Sequence, residues 1–310
     1  MSKFLQFNIT EPKDGDVKIS YSQYAMYAKC PKHWELAYVQ GLRTSQSSIH
    51  MTFGTSFHET LQTYIQTMFD TSIKEADQLD LPLMLQTKLH ELYKADIEKG
   101  KPHYSTKHEL LEFYNDGVEI LNWIKRNRTK YFNKKGYELL GIELPIYYPV
   151  SESNPVVKML GYIDLVIRDV DTNTIIIYDI KTSGNGWNKY QKADVIKTAQ
   201  LLIYKEYFSK QYGYDVDRID VKFFIVKRKL IEGSMYPQKR VQEFIPPSGK
   251  PSRNKVMRSI ESFITDSFNP DGTYKDREFP ALGGKGLKNC KFCEFADDAA
   301  ACPIEKRIKQ

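Results

Sequence analysis

Residues 158–181 constrain this chain more than any other stretch. The segments 158–168 and 174–181 read as strands, joined by a short polar turn at Asp169–Asn173. A hairpin centred between Asp171 and Thr172 places positions summing to 343 opposite one another. Asp164 then faces Asp179, and Lys181 shares that face because strand side chains alternate with period two. Opposed carboxylates repel unless a cation lies between them. The arrangement suits a divalent metal held by hard oxygen ligands with an ammonium beside it. A metal so placed polarises a phosphate and lowers the pKa of a bound water, and Lys181 orients the water or offsets developing charge. The plainer alternative makes both aspartates solvated strand ends, with Lys181 pairing one of them.

Around this pair the pattern is that of an α/β chain. Residues 20–38 read as a helix capped by Ser20 or Ser22 and broken in two by Pro31. Residues 55–135 are helical by the spacing of Leu61, Tyr64, Ile65 and Met68, with a break at Gly100-Lys101-Pro102. A strand is expected at 138–148, helix at 192–210, a further strand at 219–228 and a last helix at 252–267. Four segments follow: 1–50 with the first cysteine, 51–136 helical, 137–230 the core, and 231–310 a basic excursion, helix and cysteine-bearing tail, all in one integrated domain.

Four motifs recur in a known order: Gly54-Thr55-Ser56-Phe57-His58, Gly161-Tyr162-Ile163-Asp164, Asp179-Ile180-Lys181 and Gln200-Leu201-Leu202-Ile203-Tyr204. Over about 150 residues of core this order resembles the PD-(D/E)XK nucleases, in the RecB/AddB-like branch. The resemblance implies a restriction-endonuclease-like core, a mixed sheet flanked by helices. It implies metal ligation by His58, Asp164, Asp179 and the Ile180 carbonyl, with Lys181 as the catalytic lysine. Gln200 and Tyr204, four apart on one helix face, are placed beside the active site, and Glu143 resembles the acidic residue of the first core strand. An imidazole among the ligands would make Mn²⁺ a good activator besides Mg²⁺. The activity implied is DNA hydrolysis, by an exonuclease on single strands or ends in recombination, repair, replication or phage DNA processing. A structure-selective endonuclease or nickase on the same site, and a silent DNA- or protein-binding module, are the rival readings.

Cys30 stands alone, whereas Cys290-x2-Cys293-x8-Cys302 closes the chain. Four cysteines are too few for a disulfide scaffold and suggest a closed metal site. Zn²⁺ and an iron–sulfur cluster both take four thiolates, and spacing does not choose between them. The resemblance implies a [4Fe–4S] cluster fastening the tail to the N-terminal helix, although the x8 spacing is longer than is usual in that branch.

Net charge is only +6, compatible with an anionic partner without naming one. Lys239, Arg240 and Arg253 lie among the basic residues of the excursion and are candidates for phosphate contacts; Trp187 and Tyr190 are candidates for stacking on a single-stranded base. No GxxxxGK[ST] loop occurs, so ATP-driven unwinding would come from another polypeptide. Expected partners are DNA without sequence preference, a helicase, recombination or CRISPR-integration protein, and further copies of the chain. No apolar run reaches membrane-span length, and MSKFLQFNIT lacks the uninterrupted apolar segment of a signal peptide, so a cytoplasmic location is expected.

Overall fold

The computed structural model describes residues 12–13, 15–43 and 47–309, so the leader reading of residues 1–10 lies outside the described residues. A short strand β1 (Val17–Ile19) leads into helix α1 (Tyr21–Lys29), whose first turn is capped by Ser20 accepting from the Gln23 N–H. Pro31 occupies the first position of α2 (Pro31–Trp34), where its missing N–H costs nothing, and a wider turn continues to Val39. The helical layer comprises α3 (Ile49–Asp70), α4 (Ile73–Gln78), α5 (Leu81–Glu98) and α6 (Lys107–Asn127). Ser48, Ser72, Asp80 and Thr106 cap the four helices with side-chain oxygens.

Three long strands follow: β2 (Tyr137–Pro149), β3 (Val157–Asp169) and β4 (Thr174–Ser183). After α7 (Lys189–Ala193) and α8 (Val195–Tyr212) come β5 (Ile219–Lys227) and β6 (Val241–Phe244). Helix α9 (Lys250–Ser267) precedes a tail in which β7 (Ala281–Leu282) pairs with β8 (Arg307–Ile308). The main sheet runs β1-β3-β4-β5-β6, with β2 also on β3. It is mixed: β4 and β5 are parallel, joined by the α8 crossover, while the β2–β3, β3–β4 and β5–β6 pairs are antiparallel.

Alternation along β4 divides the core. Ile175 and Ile177 pack in one layer with α8 and α9, while Ile176, Tyr178 and Ile180 pack in the other with α3, α5 and α6. The result is the mixed sheet flanked by helices that the sequence indicates. Helix α3 begins at Ile49 rather than 55, so Gly54 lies inside it. The sequence pattern announces neither β1 nor β6, which are three and four residues long and set among polar residues.

Candidate active site

The β3–β4 ladder keeps the expected register, Arg168 opposite Ile175 and Leu165 opposite Tyr178, but stops there. On β3 the ladder with β2 runs along one edge, so β1 and β4 must share the other; β1 occupies it only at Val157–Met159. Between these partners β3 and β4 splay, one residue before Asp164 and Asp179 would pair. The Ile180 N–H, released from the ladder, is taken instead by Asp164 Oδ2 at 2.6 Å. Asp164 thus substitutes for a strand partner while standing in a gap open to both helical layers.

Asp179 is fully buried. Lys181 Nζ donates to its Oδ1 at 3.1 Å and lies 2.8 Å from Oδ2, which has no partner in hydrogen-bond geometry. Burial pushes both carboxyls up to about 6, Lys181 opposing the rise in each case. Burial pulls the Lys181 ammonium the other way, but Asp179 and Asp164 together outweigh it and hold the lysine protonated.

Helix α3 supplies a stripe at four-residue spacing: Gly54, His58 and Gln62. A Cβ at Gly54 would sit in ordinary contact, 3.4 Å from Thr182 Oγ1, which places this turn of the helix beside the end of β4. One turn on, His58 Nδ1 is 3.8 Å from Asp164 Oδ2. Burial lowers its pKa against the pull of Asp179, which favours the neutral, ligating imidazole. The next turn brings Gln62, whose Nε2 donates to Glu143 Oε1 at 2.5 Å and to the Asp164 carbonyl at 3.2 Å. Glu143 sits between Ile142 and Leu144, which oppose Leu165 and Ile163, and is therefore level with Asp164. Its φ of 50° breaks the strand geometry at that point.

From the other layer, α8 presents Tyr204. Its Cε1 lies 3.0 Å from where a Cβ on residue 161 would be, so Gly161 is glycine because the tyrosine ring rests on its backbone. Gln200 Nε2 donates to the Tyr204 hydroxyl at 3.2 Å. Burial, reinforced by Asp179, keeps that phenol protonated. Tyr21, the first residue of α1, donates to the Ile196 carbonyl at 3.1 Å and is held protonated by burial and then by Asp179.

His58, Asp164, Asp179, Lys181, Glu143, Gln200 and Tyr204 are therefore brought together, along with the Ile180 backbone. Gln62 and Tyr21 are additions. The signal for Gln62 was its place one helical turn beyond His58; Tyr21 has no local signal, since α8 reaches it across about 175 residues of chain.

Other placements differ from expectation. Trp187 is buried, its ring 4.7 Å from Phe223, and so is a core residue rather than a base platform. Arg253 is buried and paired with Glu206 at 3.2 Å, pinning α9 to α8. Arg240 is engaged by Glu119 and the Arg228 carbonyl. Arg228 in turn pairs with Asp116 at 2.6 Å, so the basic excursion is in good part neutralised by α6. Tyr190 and Lys239 remain exposed.

Cys30, Cys290, Cys293 and Cys302 line one small pocket. Cys30 Sγ accepts from the Leu282 N–H at 3.3 Å, and Asn289 Nδ2 donates to the Lys29 carbonyl at 3.0 Å, tying tail to helix. Arg307, itself buried, donates to the Ala296 and Cys302 carbonyls at 2.6 and 2.7 Å, closing the x8 loop. Among the described residues no three His, Cys, Asp or Glu side chains already converge as ligands, here or around Asp179.

A family model for the PD-(D/E)XK nuclease superfamily matches residues 18–302. The chain belongs to that superfamily, whose nucleases use divalent metals such as Mg²⁺ or Mn²⁺. A solved structure from Eubacterium rectale, described as a candidate exonuclease, is similar at 13% identity and a TM-score of 0.46, covering 80% of this chain and 79% of that one. No curated protein matches the sequence. Among the described residues no helix is long and apolar enough to cross a membrane.

Proposed function

We propose that this chain is a metal-dependent DNA exonuclease acting on single strands or DNA ends. The observation that carries the reading is the fully buried Asp179 beside Asp164, with the one Lys181 ammonium set against both of its oxygens. Two buried carboxylates facing a single ammonium remain one positive charge short, and a cation is their natural complement. The donor set fits: carboxylate oxygens, a peptide carbonyl and a neutral imidazole suit Mg²⁺ or Mn²⁺. His58, Asp164, Asp179 and the Ile180 carbonyl would hold the ion. When bound, it would polarise the scissile phosphate and acidify a water.

The remaining work falls to the chain. Lys181, kept protonated by the two carboxylates, offsets charge building on the phosphate oxygens and orients the attacking water. Gln62 fixes Glu143 and the backbone of Asp164, while the Gln200–Tyr204 pair supports the opposite wall of the gap.

The four cysteines are read as holding a [4Fe–4S] cluster, with Zn²⁺ as the other four-thiolate occupant. Support comes from their meeting in one pocket, the N–H donated to Cys30 and the arginine that closes the long loop. Iron–sulfur predicts a brown protein absorbing near roughly 400 nm; a colourless protein with one zinc per chain refutes it.

Cleavage of end-labelled linear single- and double-stranded DNA, beside a covalently closed circle, tests the activity. Wild type and Lys181→Ala are compared with Mg²⁺, Mn²⁺ or chelator. Metal-dependent degradation of linear DNA, absent in the variant and sparing the circle, is expected. Cutting of the circle would replace exonuclease by endonuclease, and binding without cleavage would make the chain a DNA-binding module.

A further inference from the structure

A groove of about 630 Å³ opens between α3 and α5 and reaches the active site at Gln62. Gln62 and Ile142 line its inner end, and these are the residues that touch or adjoin Glu143. Its size falls within the roughly 300–1,000 Å³ of small-molecule sites. Thr60, Thr63 and Thr67 look polar in sequence, but their hydroxyls donate to the carbonyls of Ser56, Glu59 and Thr63 at 2.8–2.9 Å. With those protons spent on the helix backbone, the threonines add methyl groups to a wall completed by Leu83 and Met84.

Charge in the groove is also spent. Lys88 is paired with Glu59 at 3.0 Å, and Gln66 donates to Asp70 at 2.6 Å. A phosphate would need a free cation and meets none in this lining. A flat, uncharged ring with polar edges fits better: it would gain from the apolar walls and from the acceptor atoms that Gln66 and the threonines retain. Leu83, 55% exposed at the rim, is the kind of apolar surface such a ring would cover.

We infer that this groove receives a nucleobase of the DNA strand whose phosphate lies at Asp164 and Asp179. The inference rests on the nuclease reading and deepens it, giving an unpaired base a reason to be preferred over a duplex. Withdrawing roughly 60 Å² of apolar surface from water as a base seats against this wall changes affinity by roughly tenfold, and a groove entered by one base should show a cost at one or two adjacent positions only.

The test walks a single abasic residue along a labelled oligodeoxythymidylate, with affinity measured in Ca²⁺ in place of Mg²⁺, so that a divalent ion still receives the phosphate at the carboxylates while cleavage is suppressed. Wild type is compared with Thr63→Phe and Thr87→Phe, which fill the groove from opposite walls at exposed positions. Expected is a roughly tenfold loss of affinity by wild type at one or two neighbouring positions, and a weaker, position-independent affinity in both variants. Equal affinity at every abasic position, or variants that bind and discriminate as wild type does, would overturn the inference. Hydrolysis of bis(p-nitrophenyl) phosphate with Mn²⁺, which has no base, is followed in parallel. It should be unchanged in both variants; absence in wild type of both this hydrolysis and metal-dependent DNA cleavage would sink the nuclease reading while leaving the binding result intact.

Discussion

Asp164→Asn should make the metal-free protein more stable at neutral pH while destroying its activity. The Asp164 carboxyl stands at about 6 instead of its ordinary 3.8, burial outweighing the help of Lys181 and the Ile180 N–H. Held as a carboxylate in the folded state, it costs about 3 kcal/mol relative to the unfolded chain. Asparagine removes the charge and keeps an oxygen acceptor for the Ile180 N–H. It also lifts the repulsion that contributes to the raised pKa of Asp179, while Lys181 keeps Asp179 as its partner.

The pH dependence gives the sign. A carboxyl raised in the folded state contributes stability that is fully present below the unfolded value of 3.8 and is lost as pH rises through about 6. The advantage of Asp164→Asn should therefore be near zero at about pH 4, grow between about pH 4 and 6, and level off above. Thermal unfolding in metal-free buffer reads it directly, at roughly 2–4 °C per kcal/mol for a chain of this size class. Adding Mg²⁺ should raise the midpoint of wild type and leave the variant nearly unmoved, because an ion that binds only the folded state stabilises it by mass action. The reasoning is refuted if the variant is less stable than wild type at about pH 7.5, or if its advantage is the same at both ends of the pH range.

Gly161→Ala forces a methyl to within 3.0 Å of the Tyr204 ring. It should cost about 1–3 kcal/mol and slow DNA cleavage, and most of that cost should vanish when the same substitution is made in a Tyr204→Ala background, as a double-mutant cycle in urea titration reads. Trp187→Ala should lose about 3–5 kcal/mol of stability, since the indole packs on Phe223 and Phe244; single-strand affinity, measured by anisotropy well below the melting midpoint, should hardly change. Arg307→Met leaves the Ala296 and Cys302 carbonyls without their donor, at about 1–3 kcal/mol each. Faster proteolysis of the 290–309 tail and a lower metal content of the purified protein are expected, both of which Lys181→Ala should leave at wild-type levels.

The register of the central hairpin was legible because only its turn had to be located: a polar Asp169–Asn173 between two apolar runs leaves few choices, and each choice fixes every facing pair. The splay that ends the ladder was not legible. It depends on β1, three residues from far upstream that take the same edge of β3, and nothing in residues 158–181 announces them. The basic excursion shows the opposite error. Counting Arg240 and Arg253 as free for phosphate ignored Glu119 on α6 and Glu206 on α8, distant in sequence and adjacent in space.

The threonine-rich face of α3 carries the more general lesson about polarity. Residue type gives a hydroxyl; only the helix decides whether that hydroxyl is offered outward or returned to the carbonyl four residues back. Along 60–67 it is returned three times, and a stripe that reads as solvated becomes a largely apolar wall leading from the Gln62–Glu143 contact. The same helix therefore divides its labour by face: His58 and Gln62 turn toward Asp164 and Glu143, while Thr63 and Thr67 line a neutral groove beside them. A strand held with its phosphate on the first face and a base against the second would be positioned at two points, which is what placing a phosphodiester within reach of a fixed water requires. Duplex DNA, with its bases already paired, could satisfy the first contact without the second, so preference for single strands would follow from the geometry of α3 rather than from any sequence-reading element.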